Sequence, residues 1–254
     1  MEKVKLFRLS SVASLLTVVM LLCSCRFNDG KLREHTRIFN ISYFSSIQVS
    51  APVDVVFVQG DKPSCQIVGK AADVEAIDIK NVGETLVVSI GSHKTAGLNG
   101  KCEVRITSPD LVGVALHGNS DFACNGKLDT DTLLIDMQGS CDAKLGEVVC
   151  NYISVNASGS GDFKASLIDA QSVKLATFGS GDIEAQLKKV DTTYASTHGS
   201  GDIQLSFTDC GVANCNSFGS GDIKLHGTIE SINKNMHGSG DLDDKELKIS
   251  SRRK

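Results

Sequence analysis

Aspartate recurs at a nearly constant interval through the second half of the chain, each time at the end of a glycine-rich tetrapeptide. Four evenly spaced copies of Gly-Ser-Gly-Asp begin at Gly159, Gly179, Gly199 and Gly219. A fifth copy begins at Gly238, one position short of the same interval, and two weaker copies begin at Gly118 and Gly139. The aspartates of the seven copies are Asp121, Asp142, Asp162, Asp182, Asp202, Asp222 and Asp241. Carboxylates repeated in this way could bind calcium, as in the glycine- and aspartate-rich repeats of toxins.

A stacked column of carboxylates must offset its own repulsion. Adjacent unit charges at the spacing of neighbouring strands repel by ~3–4 kcal/mol near a protein surface and by ~1 kcal/mol in water. A carboxylate that accepts backbone N–H bonds in its own glycine-rich corner gains ~1.5–3 kcal/mol, which matches that repulsion. Calcium-binding repeats supply several oxygens within about nine residues, whereas this chain offers one carboxylate per repeat. The pattern favours a structural turn ladder over weak cation binding, and we predict no metal site.

A second column directly precedes the tetrapeptides and is rich in histidine and phenylalanine. Alternation along a strand turns these side chains outward. The column comprises His117, Gln138, Ser158, Phe178, His198, Phe218 and His237. Neighbouring histidines could bind zinc, but Phe178 and Phe218 flank His198 and separate it from the other histidines. A stripe that contacts a partner and simple packing at the corner are the other two interpretations.

These columns need a repeating backbone, which the apolar pattern supplies. Alternate positions after each corner and before the next are apolar, as expected for two short strands per repeat. The fourth residues after the first glycines are Phe122, Ala143, Phe163, Ile183, Ile203, Ile223 and Leu242. The fourth residues before the next glycine are apolar too, except Lys234. The sequence therefore predicts an all-β fold: a parallel β-solenoid, similar to a single-stranded β-helix, with about seven 20-residue rungs over residues 112–242.

The start of the chain, residues 1–24, has the layout of a lipoprotein signal peptide. Basic residues precede an apolar run that is shorter than the ~20 residues of a membrane span. The run ends at Leu22-Cys23-Ser24-Cys25, which resembles a lipobox with Cys25 as the lipidated residue. We expect residues 25–37 to be a polar tether. Lipidation predicts anchoring in the outer membrane, consistent with Arg26 after the cysteine, and makes the membrane a partner of the protein.

Residues 38–111 are rich in strand patterns but lack the glycine period, and we predict that they cap the solenoid. Their runs Phe44-Ser-Ser-Ile-Gln-Val, Val53-Asp-Val-Val-Phe-Val-Gln-Gly, Leu86-Val-Val-Ser-Ile and Val104-Arg-Ile-Thr-Ser-Pro-Asp-Leu precede the Gly-Ser-Gly-Asp ladder in that order. From Ile38 to Asp241 this arrangement resembles the family called "putative auto-transporter adhesin, head GIN domain", which is frequent among Bacteroidetes lipoproteins. The resemblance implies an all-β, solenoid-like envelope protein for which no catalytic residues are known.

Composition argues against catalysis. Residues 112–242 hold 16 acidic and 8 basic side chains, a net charge of −8, which disfavours nucleic acid as a partner. No arginine lies between Arg105 and Arg252, and the chain has no tryptophan and three tyrosines, so clamps for acidic sugars and stacking platforms for glycans are scarce. No catalytic triad pattern or nucleotide-binding loop is visible. We predict a non-enzymatic, adhesin-like lipoprotein of the cell envelope, without cofactors, that binds a glycan or protein on the surface of its solenoid. A structural envelope scaffold and a polysaccharide-active enzyme are the alternatives.

The remaining features are a basic tail and the cysteines. Residues 243–254 are predicted to form a solvated tail. Seven cysteines follow Cys25, and their odd number and irregular spacing indicate neither a disulfide framework nor a zinc site. Cys124 and Cys215 fall at inward positions and are expected in the core. Cys65 and Cys102, both on strands of the cap, are the pair most worth testing for a disulfide.

Overall fold

β-strands make up most of the part of the chain that the structure describes. The computed structural model describes residues 34–91 and 102–250, among which there is one helix, α1 (Ala71–Ala76). The strands in chain order are β1 (His35–Phe39), β2 (Ser46–Val49), β3 (Asp54–Gln59), β4 (Ser64–Gly69), β5 (Ile77–Val82), β6 (Thr85–Ile90), β7 (Glu103–Ser108), β8 (Gly113–Gly118), β9 (Asp121–Asp129), β10 (Thr132–Gly139), β11 (Ala143–Gly159), β12 (Phe163–Thr177), β13 (Ile183–Lys188), β14 (Thr192–Thr197), β15 (Ile203–Ser217), β16 (Ile223–Met236) and β17 (Leu242–Ile249).

Strands that lead into the tetrapeptide corners form one parallel ladder, which we call the incoming ladder. It runs through β8, β10, β14 and the second halves of β11, β12, β15 and β16. Residues one repeat apart lie opposite each other, as Ile135 does with Val155 and Val155 with Leu175. Because side chains alternate along a strand, these residues share one inward face, where they are buried.

Strands that leave the corners form a second parallel ladder, the outgoing ladder. It runs through β9, β13, β17 and the first halves of β11, β12, β15 and β16. Phe163, Ile183, Ile203 and Ile223 stack on its inward face and are buried. An incoming strand, its corner and the next outgoing strand make one rung. About seven rungs are present, so the predicted parallel β-solenoid is confirmed.

The strands before the glycine repeat extend both ladders, but not in chain order. The rung of β2 and β3 lies directly beneath that of β8 and β9, in parallel register. The rung of β6 and β7 lies beneath β2 and β3, although it follows them in the chain. The connection from β7 to β8 therefore passes a whole rung. Within residues 38–111 there are thus two further solenoid rungs as well as terminal strands.

Antiparallel strands cover the N-terminal end of the solenoid. β5 pairs with β6, β4 pairs with β7, and β1 pairs with β4. These strands pair antiparallel, so the parallel stacking of rungs ends here. The edge strands at this end therefore run in a different direction from the strands of a rung. β1 begins at His35, so strand structure is already present within the segment expected to be a tether.

At the C-terminal end of the solenoid, a charged side chain takes a position that is apolar in the earlier rungs. Lys234 follows Cys215 in an inward column, where earlier rungs carry Ala195 and Leu175. Its ammonium group forms an ion pair with Asp244 of the last strand. β17 runs to Ile249, so much of the segment expected to be a solvated tail pairs with β16 instead.

The seven cysteines between residues 65 and 215 are buried, and none of them forms a disulfide with another described residue. Cys65 lies opposite Ile106, whereas Cys102 precedes Glu103, which lies opposite Val68. This register separates Cys65 from Cys102 by about four residues, or roughly 13 Å, which is too far for a disulfide. The proposed pairing is therefore wrong. Cys124 and Cys215 lie in the core as predicted.

Candidate functional site

The corner aspartates form a ladder that ties each rung to the next. In each step Oδ1 of one aspartate accepts a hydrogen bond from the backbone N–H of the aspartate one rung further, at 2.8–3.3 Å. The ladder is unbroken from Asp121 to Asp241. The sequence predicts that each carboxylate would bond within its own corner, whereas the structure places the donor in the next rung. Stacking of identical corners explains the difference, because it carries the next backbone N–H over each carboxylate.

From the third corner onward, both glycines of the tetrapeptide are required by the close approach of each corner to the one before it. A Cβ at Gly199 would collide with the carbonyl oxygen of Gly179, and one at Gly201 with that of Gly181. Only a residue without a side chain allows this spacing. The glycines therefore allow successive corners to stack closely.

The first two corners replace the second glycine with larger residues that occupy the interior. Ser120 and Cys141 are buried, and their Oγ and Sγ atoms lie 3.7 Å apart. The Cys141 thiol also donates to the Gly118 carbonyl at 3.3 Å. The two residues thus pack against each other, and the ladder register from Gly118 to Gly139 remains regular.

Threonine hydroxyls brace the later corners from inside. Thr177 Oγ1 donates to the Gly181 carbonyl at 2.8 Å, and Thr197 Oγ1 donates to the Gly201 carbonyl at 3.0 Å. Ser217 occupies the same column one rung further. Its buried hydroxyl has no hydrogen-bond partner among the described residues.

The ladder does not gather ligands for a cation. Within residues 34–91 and 102–250, no three histidine, cysteine, aspartate or glutamate side chains converge as a metal-binding group would require. Each corner adds one carboxylate, and in every corner before the last its Oδ1 already accepts a backbone hydrogen bond.

The column before the corners forms a stack of aromatic rings on the surface. Phe178, His198, Phe218 and His237 follow one another with ring centroids 4.7, 4.9 and 5.4 Å apart and interplanar angles of 18°, 21° and 14°. We call these four residues the aromatic column. Its rings cover one another's faces, so the column presents ring edges along most of its length. Phe178 follows the small residue Ser158, which leaves its outer ring face uncovered by another ring.

A groove runs beside the aromatic column on the outward face of the incoming ladder. Its volume is about 480 Å³. Tyr194 lies four residues before His198, and the two residues form opposite walls because same-face residues alternate along the strand. Ala176 and Ser196 form the floor between them. Ser196 Oγ lies 3.2 Å from His198 Nδ1, so the floor hydroxyl and the wall ring are linked by a hydrogen bond.

The two outward faces differ in charge. The outgoing ladder carries ion pairs between rungs, such as Lys164 with Glu184 at 3.2 Å and Lys224 with Asp202 at 3.5 Å. The groove is nearly neutral: among the described residues that line it, only Lys174 carries a formal charge. The acidic excess of the repeat therefore lies away from the groove.

The sequence located part of this site. The outward position of the column is confirmed, with Phe178 and Phe218 about half exposed. The predictions did not include Tyr152 and Tyr194 in the site, although both line the groove. Tyr194 could have been found by parity, because it is four residues from His198. Cys25, the predicted lipidation site, lies outside the described residues, as do residues 1–24.

None of the described helices is long or apolar enough to cross a membrane. The comparison with curated proteins found no match. Several solved structures share the fold, including one from Bacteroides fragilis NCTC 9343 described as a putative adhesin. It is 27% identical with a TM-score of 0.76, covering 83% of this chain and 96% of its own.

Two further solved structures support the fold alone, since their identities are lower. A Parabacteroides distasonis ATCC 8503 protein described as a putative lipid binding protein has 24% identity and a TM-score of 0.68, covering 83% of this chain and 96% of its own. A putative adhesin of Parabacteroides merdae ATCC 43184 has 20% identity and a TM-score of 0.64, covering 82% and 95%.

A family model matches residues 43–209 and again residues 174–252, so the two overlapping matches span most of the chain. The order of strand motifs and the glycine ladder that the sequence shares with this family are both inside the matched region. The chain belongs to the family described as "putative auto-transporter adhesin, head GIN domain".

Proposed function

We propose that this protein is a non-catalytic, lipid-anchored component of the outer membrane that binds a partner through the outward face of the incoming ladder. The observation that carries the proposal is the aromatic column with the open groove beside it. Exposed apolar side chains that lie together on a soluble face mark interaction sites more often than isolated ones. The adhesin description of the family supports a role in contact at the cell surface.

The geometry favours binding over catalysis. Polysaccharide-cleaving sites place paired carboxylates across the bond that they break. In this solenoid the aspartates lie in a separate column, one per rung, and each one before Asp241 accepts a hydrogen bond from the backbone of the next rung. The groove walls are aromatic, and among the described lining residues none is a carboxylate.

Attachment of cells that display the full chain tests the binding role. The probes are surfaces coated with mucin, with fibronectin and with peptidoglycan. Phe178→Ser combined with Phe218→Ser removes two column rings and keeps a residue type that the column already contains at Ser158. Tyr43→Ser removes an equally exposed ring elsewhere and is the matched control.

The double variant is expected to lose attachment to at least one surface, and the control to retain it. Equal attachment by all three proteins would refute a binding role for this face and favour an envelope scaffold. Release of reducing sugar from any coated polysaccharide would refute the non-catalytic assignment.

Anchoring is tested separately at Cys25. Cells fed an alkyne-bearing fatty acid should label the native chain and not Cys25→Ser, with Cys23→Ser as the control that keeps the label. The unlabelled variant should also leave the outer-membrane fraction. Protease digestion of intact and lysed cells then shows on which side of the membrane the solenoid lies, and full protection in intact cells would exclude direct contact with a host.

A further inference from the structure

We infer that the groove binds a linear, uncharged glycan that crosses successive rungs of the solenoid with about one sugar for each rung. This inference rests on the proposed binding function and assigns its ligand class. It depends on the chemistry of the groove walls, the charge of the lining and the direction of the groove.

The groove combines carbon-rich walls with hydrogen-bonding groups, as a sugar requires. Tyr194 and Tyr152 contribute phenol rings, and Phe178 contributes an uncovered ring face at the start of the aromatic column. Ser196 and Asn216 lie between or beside these rings and offer a hydroxyl and an amide. A pyranose ring has C–H groups on its faces and hydroxyls around its edge, so it can pack on the rings while its hydroxyls bond to the floor. The fold brings two of the three tyrosines of the chain to one groove, which offsets their scarcity in the sequence.

The charge of the lining selects a neutral ligand. Lys174 is the one formal charge among the described lining residues. A polyanion such as nucleic acid or polyuronate is held by several cationic contacts, and a basic peptide would need carboxylates. A neutral chain of hydroxyls requires neither.

The direction and openness of the groove select a linear polymer. The lining residues Tyr152, Ser172, Tyr194 and Asn216 belong to four successive rungs, so the groove crosses the rungs. By the strand register, Tyr194 lies two residues nearer the corner than the column of Tyr152 and Ser172, and Asn216 lies two residues nearer again, so the groove runs obliquely to the solenoid axis. Rungs repeat at ~4.8 Å, which is close to the advance of one sugar in an extended, equatorially linked chain. A single acyl chain would need a dry enclosure to bury its methylenes, whereas this floor carries the Ser196 hydroxyl and the groove is open to solvent.

The test is calorimetric titration of the full chain in detergent micelles with neutral gluco- and manno-oligosaccharides of two to six sugars. Affinity should rise with each added sugar up to about four and then level off. Tyr194→Ala should weaken binding about tenfold, and Ser196→Glu, which fills the floor, should abolish it. Tyr43→Ala should bind as the native protein does. Thermal melting of each variant shows that the fold is retained, as expected for outward residues.

Three outcomes would overturn the inference. These are the absence of binding by any neutral oligosaccharide, binding that Tyr194→Ala and Ser196→Glu leave unchanged, and saturable binding of oligogalacturonate or phosphatidylglycerol vesicles in place of the neutral sugars. In each case, attachment that still depends on Phe178 and Phe218 would leave the proposed function intact with a different ligand. If attachment did not depend on Phe178 and Phe218 either, both the glycan inference and the proposed binding function would be refuted.

Discussion

At the scale of single residues, the corner aspartates connect rungs through hydrogen bonds in which the acceptor is a negatively charged carboxylate and the donor is a neutral backbone N–H. A hydrogen bond from a backbone N–H to a carboxylate is stronger than one to a neutral amide oxygen. The same charge repels its neighbours in the column. Substitutions at one aspartate can separate the stabilisation by the hydrogen bond from the repulsion between neighbouring carboxylates.

Asp182→Ala should destabilise the protein by about 1.5–3 kcal/mol, because the backbone N–H of Asp202 loses its acceptor. Asp182→Asn keeps an acceptor oxygen and removes one charge from the column, so it should cost less than the alanine variant. Urea unfolding followed by circular dichroism measures both, with the exposed loop residue Asp61→Ala as the control. Equal stabilities for the alanine variant and the native protein would contradict the role of the ladder.

Calcium should leave the melting temperature of the native protein unchanged. The corner carboxylates are spread one to a rung and do not form a cluster of ligands. Differential scanning calorimetry in millimolar calcium and in chelator makes the comparison. A higher melting temperature with calcium that disappears in Asp182→Ala would establish cation binding in the column.

The unpartnered hydroxyl of Ser217 marks a position where one methyl group should help. Thr177 and Thr197 fix the same hydroxyl on a corner carbonyl, so Ser217→Thr is expected to orient the hydroxyl toward Gly221 and to raise stability by about 1 kcal/mol. Thr197→Ser is the reverse change and should lower stability. A lower melting temperature for Ser217→Thr would show that the last corners differ in shape from the earlier ones.

Buried thiols make the stability sensitive to alkaline pH. Burial raises the pKa of Cys65 and Cys215 from 9.0 to about 12. The unfolded chain therefore loses these protons first, and the free energy of unfolding should fall as pH rises from about 9 toward 12. Cys215→Val keeps an apolar side chain in the core, so we expect a shallower fall above pH 9 with little change at pH 7. Parallel pH profiles for both proteins would assign the loss to other groups.

At the scale of strands and corners, the glycines determine how closely rungs can stack. Gly199→Ala should destabilise the protein by at least about 3 kcal/mol, because the new methyl group meets the Gly179 carbonyl and the backbone must move. Gly126→Ala has open space around its Cβ and is the matched control, with no expected loss of melting temperature. If both variants melted together, close stacking at the corner would not be what requires glycine.

The period of the sequence was sufficient to predict these strands and corners. The constant interval between corners determines which side chains stack, including Ile183 on Ile203 and His198 on Phe178. The same logic could not order the N-terminal rungs, because β2 and β6 carry no glycine period and their neighbours are set by packing alone. Nor could it place Asp182 against the next rung, since a hydrogen bond between corners depends on backbone positions that the residue types do not encode.

The groove was only partly predictable for a related reason. The alternation of side chains along the strand predicts the face on which Tyr194 lies. A groove forms on that face only because the residues between its walls are small. The depth therefore depends on Ala176 and Ser196 together with the stacked rings, which is a property of several rungs at once.

At the scale of the whole molecule, the ion pair of Lys234 and Asp244 protects the open end of the solenoid. Lys234→Leu combined with Asp244→Leu would extend the apolar column to the end layer and should cause end-to-end self-association. Analytical ultracentrifugation over a range of concentrations detects this. Lys164→Leu adds a leucine to the outgoing face and should associate no more than the native protein does. Association of the control to the same extent would attribute the effect to general hydrophobicity.

The displaced order of the first rungs has a consequence for the time course of folding. The rung of β2 and β3 has one neighbour made of β6 and β7 and another made of β8 and β9. During synthesis the chain leaves the ribosome N-terminus first. About the first half of the chain must therefore have emerged before the rung of β2 and β3 is covered on both sides. From that point each later rung needs only the one before it, so the slow step belongs to the irregular end and the repeats follow as a rapid, sequential extension.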